Sequence, residues 1–131
     1  YKRPRPFLVN KQPICTPKEQ AAYTKNAAYP SGHAAVGWVW ALILAELAPE
    51  QSTALLARGR AFAESRVVCN VHWHSDVTQS LLIGAATVAR LHAEPAFRAD
   101  MDAARAELAA MRSKELPPVR DCKAETAALA P

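Results

Sequence analysis

Two long uncharged stretches, at residues 34–45 and 77–89, dominate the hydrophobic pattern of the chain. The first is apolar throughout, with small residues at three- to four-residue spacing, which is typical of helices that pack closely in a core, and the second is a run of thirteen uncharged residues. The first predicts a helix from His33 to Leu47, buried nearly all round, and the second predicts a helix from about His72 to His92. Both uncharged stretches are shorter than the roughly 20 residues of a membrane span, so we expect none.

Weaker patterns complete an all-α fold, a helical bundle in which Trp38 and Trp40 are interpreted as core residues. A domain is expected over residues 1–116, and its last helix is amphipathic, so it either covers the core or meets another subunit in a homodimer. The other expected elements are an irregular, proline-rich arm (residues 1–17), a short helix to about Lys25, a helix from Glu50 to about Val68, the amphipathic helix from Pro95 to about Lys114, and a tail (residues 117–131).

The composition favours one helical domain that binds an anionic small molecule. The chain has 131 residues, half of them hydrophobic, and a net charge of +4. Its cations are spread along the sequence and form no stripe interleaved with aromatic residues, so nucleic-acid binding is not expected.

The three cysteines have no spacing typical of a metal site. Cys15 and Cys122 are candidates for a disulfide between the two ends of the domain. Cys69 is interpreted as a small apolar filler of the core.

Residues 65–76, SRVVCNVHWHSD, carry the first candidate chemistry. If a helix begins near His72, then His72 and Asp76 lie one turn apart on the same face. The carboxylate can then accept a hydrogen from one ring nitrogen and leave the other as a nucleophile. Arg66 adds a planar cation that can bind two oxygens of a phosphate. The alternative interpretation is a polar helix end with an incidental pair.

A second candidate segment is PSGH, at residues 30–33, directly before the first apolar helix. Ser31 and Gly32 would present a hydroxyl and backbone N–H groups to an anion at a helix N-terminus. His33 would lie at the rim of that site, where it could exchange a proton. By itself the tetrapeptide is also compatible with an ordinary helix cap and a solvated histidine.

Together with Arg5-Pro6, these segments resemble the signature of the type 2 phosphatidic acid phosphatase superfamily, which includes the vanadium haloperoxidases. The neighbouring sequences YPSGH and CNVHWHSDV are most similar to bacterial class A non-specific acid phosphatases. The resemblance covers residues 1–112. The residues that match the signature are Arg5, Pro6, Pro30, Ser31, Gly32, His33, Ser65, Arg66, His72 and Asp76.

The resemblance implies a metal-independent acid phosphatase that needs no cofactor and hydrolyses small phosphate monoesters. His72 would form a phosphohistidine, Asp76 would hold its tautomer, and His33 would act as general acid and base. The phosphate would be bound by Arg5, Ser31, Gly32 and Arg66 and would be mimicked by vanadate as an inhibitor. The resemblance also implies a periplasmic location.

The chain departs from the signature in one place. The family's lysine would stand seven positions before Arg5, ahead of residue 1, and Lys2 is too close to replace it. The resemblance therefore implies the C-terminal portion of such an enzyme, without the N-terminal helices of the family. Two alternatives stay open at this stage, a vanadate-dependent haloperoxidase and a non-catalytic fragment of a phosphatase.

Overall fold

A computed structural model describes residues 2–114 and 121–128, and the helical fold class expected from the sequence is confirmed over them. Three helices of 16 to 18 residues form the body of the bundle, and a fourth packs beside them. The α-helices are α1 (Pro6–Asn10), α2 (Gln20–Thr24), α3 (Gly32–Leu47), α4 (Ser52–Val68), α5 (His74–Leu91), α6 (Pro95–Arg112) and α7 (Cys122–Ala128), with short 3-10 turns at Pro17–Glu19 and Pro49–Gln51.

Helix α3 is the centre of the bundle and packs against both α4 and α5. The close approach of α4 and α5 to α3 depends on small residues at the points where the helices cross. A Cβ atom on Gly59 of α4 would collide with the Cβ of Ala41, and one on Gly84 of α5 would lie 3.0 Å from the carbonyl oxygen of Ala35. The half-buried ring of Trp38 lies beside both glycines, which confirms its place in the core.

The expectation that α3 is buried nearly all round is wrong. Val36, Trp40 and Leu44 form an exposed apolar stripe. Trp40 is 64% exposed, so its interpretation as a core residue is wrong. Helices α4, α5 and α6 all contact α3, and this stripe stays exposed beside them within the described part of the chain. The uncharged sequence therefore predicted the position of α3 correctly. It did not show how many faces of α3 are covered by residues 2–114 and 121–128.

The N-terminal arm is more ordered than predicted, because residues 6–10 form the short helix α1. Pro6 occupies its first turn, where a missing N–H is tolerated. Phe7 is buried against Ile14 and Val71, and its N–H donates to the Asn70 carbonyl oxygen at 3.3 Å. The arm is therefore held directly against the loop that precedes α5.

A disulfide joins Cys15 to Cys69, which corrects both cysteine predictions. Cys69 is the residue directly after α4, three positions before His72, and is not an inert core filler. Cys122 is exposed and is not the partner of Cys15. The disulfide joins the segment after α1 to the end of α4. The arm is therefore fixed to the bundle at two points, Phe7 and Cys15.

Helix α6 is amphipathic as predicted and buries Met101 on its inner side. Arg105 and Arg112 pair with Glu46 and Glu50 at the end of α3 and the following turn. The predicted boundary at residue 116 lies outside the described residues, and α7 forms within the expected tail. None of the described helices combines the length and the apolar character required to cross a membrane.

Candidate active site

The loop before α5 places His72 differently from the sequence prediction. Helix α5 begins at His74, so His72 lies in the preceding turn and does not share a helical face with Asp76. The reason is local: the Asp76 carboxylate accepts the Trp73 N–H at 2.8 Å and caps the helix there. The N–H groups of Val71 and His72 instead donate to the Arg66 carbonyl oxygen at 3.2 and 3.1 Å.

The His72 imidazole is buried, with 3% of the residue exposed, and both of its nitrogens have a partner. Nδ1 lies 2.7 Å from the Ala28 carbonyl oxygen, and Nε2 lies 3.0 Å from Nη1 of Arg5. Since a carbonyl can only accept and a guanidinium can only donate, Nδ1 carries the hydrogen and Nε2 carries the lone pair. This is the tautomer that a nucleophilic Nε2 requires.

The carbonyl of Ala28, and not Asp76, accepts the Nδ1 hydrogen of His72. The nearest Asp76 oxygen lies 3.8 Å from Nδ1, too far for a hydrogen bond. The predicted direct role of Asp76 in holding the tautomer is therefore wrong in this geometry. Asp76 is fully buried beside the ring, and its carboxylate acts on the imidazole through its charge.

Burial, and after it the charge of the neighbouring Arg5, lower the pKa of His72 to about 4. The hydrogen bond to Ala28 and the charge of Asp76 oppose this shift, while the charge of His33 adds to it. The imidazole is therefore neutral at weakly acidic pH, where an exposed histidine would be largely protonated. A neutral ring keeps the Nε2 lone pair available.

Arg5 is a buried cation that joins three segments at the site. Its Nε donates to the carbonyl oxygens of Tyr23 and Asn26 at 3.1 and 3.2 Å, and Nη1 donates to that of Val71 at 2.9 Å. The guanidinium also lies 4.7 Å from the centre of the Tyr23 ring. Burial lowers the pKa of Arg5, and the charge of Asp76 works in the opposite direction.

The PSGH segment forms the start of α3 and is connected to α5 through Ser80. The hydroxyl of Ser31 accepts the Ala34 N–H at 3.3 Å, as expected of a helix cap. The Ser31 N–H donates to Ser80 Oγ at 2.8 Å, and Ser80 Oγ donates to the Asp76 carbonyl oxygen at 2.7 Å. These two hydrogen bonds fix the α3 N-terminus beside the segment that carries His72.

The first residues of α3 are open to solvent. His33 is exposed, and the position of Gly32 has no heavy atom within 4 Å of where a Cβ would lie. The charge of His33 is among the causes that lower the pKa of His72. An anion bound at Gly32 could therefore reach backbone N–H groups without displacing a side chain.

Arg66 lies at the end of α4, near the Arg5 side of the site. Its Nε and Nη2 both donate to Ser65 Oγ, at 3.1 and 3.0 Å, and its guanidinium lies 5.5 Å from the Phe62 ring. Its charge lowers the pKa of Tyr23, against the larger upward effect of burial on that phenol. Tyr23 thus lies within reach of the charges of both Arg5 and Arg66.

Sequence reasoning missed three residues that hold the site. Ser80 could have been found, because it is four residues after Asp76 and falls on the same face of a helix. Arg3 donates to Asp76 Oδ1 at 2.7 Å but stands 73 positions away in sequence. Ala28 acts only through its backbone carbonyl, a group that every residue carries, so no sequence signal marks it.

The low pKa of His72 predicts a specific loss of stability in acid. The unfolded histidine has a pKa of about 6.5, so between about 6.5 and 4 the unfolded chain binds more protons than the folded one. The free energy of unfolding therefore falls as the pH drops through this window, by up to about 1.4 kcal/mol per pH unit. Urea denaturation at a series of pH values should show this slope in the wild type and a smaller one in His72→Gln.

His92→Gln is the matched control for that experiment. His92 is partly exposed and lies 2.9 Å from a carboxylate oxygen of Glu46, so its removal should not reproduce the effect. An identical pH slope in His72→Gln and the wild type would show that His72 is not a buried neutral imidazole.

The class of this protein is that of a helical bundle in which a buried histidine contacts an arginine and the N-terminus of α3 is hydrogen-bonded through Ser80 to Asp76. The chain matches the model of the PAP2 superfamily over residues 1–98, and it belongs to that family. The similarity to type 2 phosphatidic acid phosphatases seen in the sequence is thereby confirmed.

Several curated relatives are named as acid phosphatases. The "Acid phosphatase" of Zymomonas mobilis is 44% identical over 98% of this chain and 49% of its own length. The "Non-specific acid phosphatase" of Providencia stuartii is 40% identical over 86% of this chain and 45% of its own length. The "Non-specific acid phosphatase" of Salmonella typhimurium is 43% identical over 82% of this chain and 43% of its own length. The chain spans about half the length of these relatives.

Proposed function

We propose that this chain forms the catalytic part of an acid phosphatase that hydrolyses small phosphate monoesters. One observation supports the proposal above the others: the Nε2 lone pair of buried His72 faces the guanidinium of Arg5 at 3.0 Å. A nucleophile and a cation in contact are what a phosphoryl group needs from a site, because its oxygens carry the charge and its phosphorus accepts the lone pair. The names of the relatives agree with this activity.

In the first step, Nε2 of His72 attacks phosphorus and the ester P–O bond breaks, giving a phosphohistidine and an alkoxide. His33 donates a proton to that alkoxide. In the second step, water attacks phosphorus while His33 takes its proton, and the N–P bond breaks so that its electron pair returns to Nε2. The second step returns His33 to its protonated form, and its exposed position gives it access to the attacking water.

The positive field for the phosphate oxygens comes from the chain itself in this proposal. Arg5 supplies a cation at Nε2, Ser31 and Gly32 supply the N-terminus of α3, and Arg66 adds a second cation on the Tyr23 side. Dipoles and charges that are already oriented stabilise the transition state without reorganisation. We therefore propose that hydrolysis is metal-independent, with Asp76 stabilising the imidazolium character that develops on His72.

The disulfide supports a periplasmic or otherwise oxidising location. Cys15 and Cys69 are paired within the fold, and such pairs persist in oxidising compartments and are rare in the cytosol. The bacterial origin of the named relatives agrees with this. Homodimer formation stays a prediction of the sequence.

The test is hydrolysis of p-nitrophenyl phosphate by the purified protein at pH 5–6, in EDTA, with vanadate added as a trigonal-bipyramidal mimic. We expect turnover that survives EDTA and is competitively inhibited by vanadate. Absence of both turnover and saturable vanadate binding would contradict the proposal and favour a non-catalytic fragment. Bromide oxidation dependent on vanadate, without phosphatase activity, would instead favour a haloperoxidase.

His33→Ala tests the assignment of the general acid. An alkoxide leaving group needs a proton, whereas nitrophenolate leaves without one, so we expect a larger loss of kcat on an alkyl phosphate. The difference between the two substrates should be of order 10²-fold, the lower range for general acid catalysis. His74→Ala is the matched control, since His74 is also exposed near the site. Equal losses on both substrates would remove His33 from this role.

A further inference from the structure

Among residues 2–114 and 121–128, Arg3 is the one whose side chain binds Asp76 and whose backbone binds Ala28, the two groups beside Nδ1 of His72. We propose that Arg3 is a positioning residue for the His72 imidazole, holding Asp76 and Ala28 in place and offsetting the charge of Asp76. A role in turnover rests on the proposed function, whereas the effect on the His72 ring can be measured without catalysis.

The side chain of Arg3 fixes the carboxylate. Its Nη1 donates to Asp76 Oδ1 and to Ser75 Oγ, both at 2.7 Å, and its guanidinium lies 5.3 Å from the centre of the Trp73 ring. The other oxygen, Oδ2, accepts the Trp73 N–H at 2.8 Å. Asp76 is thus held from two sides, in the orientation that keeps Oδ2 3.8 Å from Nδ1 of His72.

The backbone of Arg3 fixes the second group. The Ala28 N–H donates to the Arg3 carbonyl oxygen at 2.9 Å, and the Ala28 carbonyl oxygen accepts the Nδ1 hydrogen of His72. Residue 28 is fully buried, so its peptide has few alternative orientations. One residue of the N-terminal arm therefore sets both the hydrogen-bond acceptor and the carboxylate beside the ring.

The charge of Arg3 also balances that of Asp76. A carboxylate 3.8 Å from Nδ1 favours a protonated imidazole, and a guanidinium in contact with that carboxylate reduces this effect. Arg5 and His33 are the other charged or titratable groups that act on His72, and both favour the neutral ring. Removal of Arg3 takes away the cation in direct contact with Asp76 and leaves the charge of Arg5 to act on that carboxylate.

The experiment follows the histidine Cε1 resonances by NMR over a pH series, in the protein and in its Arg3→Ala variant. His72 is assigned by its loss in His72→Gln. We expect the His72 titration midpoint to rise by about one pH unit in Arg3→Ala, the lower range for an ion-pair effect. Arg3→Lys should restore most of the wild-type midpoint, while Arg3→Gln, which keeps donors but no charge, should resemble Arg3→Ala.

The same Arg3 substitution made in an Asp76→Asn protein distinguishes this role from a general effect on packing. In Asp76→Asn the carboxylate is absent, so Arg3→Ala should then shift the His72 midpoint much less. Arg90→Ala is the control for loss of an arginine, because Arg90, on α5, forms an exposed ion pair with Glu94, the residue before α6. We expect it to leave the His72 midpoint unchanged.

Two results would overturn the role of Arg3: a His72 midpoint in Arg3→Ala equal to that of the wild type, or an equal shift in the Asp76→Asn background. Arg3→Lys and Arg3→Gln allow the same comparison if Arg3→Ala does not fold. Where turnover is present, the acid limb of kcat/KM should move with the NMR midpoint. A protein without turnover but with the expected midpoints would reject the proposed function and retain the role of Arg3.

Discussion

Replacement of His72 by alanine is expected to lower the turnover of phosphate monoesters by about 10⁴ or more, the scale seen when a covalent nucleophile is removed. The ring is held by Ala28 and Arg5 with Nε2 as its acceptor nitrogen, so the substitution removes the proposed nucleophile. The direct measurement is kcat with p-nitrophenyl phosphate. In parallel, a labelled phosphate ester should leave an acid-labile phosphoryl group on the wild type and none on the variant.

The matched control for this prediction is His92→Ala. His92 lies at the far end of α5, pairs with Glu46 and contacts the Phe97 ring, so its loss should leave kcat within a small factor. Near-normal turnover in His72→Ala would refute the nucleophile assignment. Equal labelling of the wild type and His72→Ala would place the phosphoryl group on another residue.

Replacement of Arg5 by alanine is expected to reduce both stability and turnover. The carbonyl oxygens of Tyr23, Asn26 and Val71 would lose their shared donor in a buried place, at a cost of about 3 kcal/mol in the free energy of unfolding. Turnover should fall by about 10²- to 10³-fold, as for the loss of one oriented donor at a transition state. Urea denaturation and steady-state kinetics measure the two effects separately.

Arg5→Lys separates charge from shape at the same position. Lysine keeps the positive charge but has only one nitrogen. In Arg5, Nη1 contacts the Val71 carbonyl oxygen and His72 Nε2 while Nε donates to other carbonyl oxygens, and lysine cannot make both sets of contacts. We expect it to recover part of the turnover and little of the stability. Arg60→Ala, an exposed arginine on α4, is the control and should change neither quantity appreciably. Wild-type kinetics in Arg5→Ala would exclude Arg5 from phosphate binding.

Much of the fold could be predicted from the sequence because its information is local. Proline and serine before α3, and the uncharged runs of α3 and α5, set the helix positions within a few residues. The exposure of Trp40 could not be predicted, since it depends on which other elements are present to cover that face. The cysteine pairing also failed, because Cys15 and Cys69 are separated by 54 positions and only the folded arm brings them together.

The sequence by itself determined which residue types are available for phosphate chemistry and the helices that carry them, since both follow from short motifs and apolar periodicity. Only the tertiary structure decided how they act on one another. It placed His72 two residues ahead of α5, directed its Nδ1 hydrogen to the carbonyl oxygen of Ala28, and placed Arg5 against Nε2. The physical reason is that burial and hydrogen bonding depend on neighbours distant in sequence, and these determine the tautomer and the pKa of the imidazole.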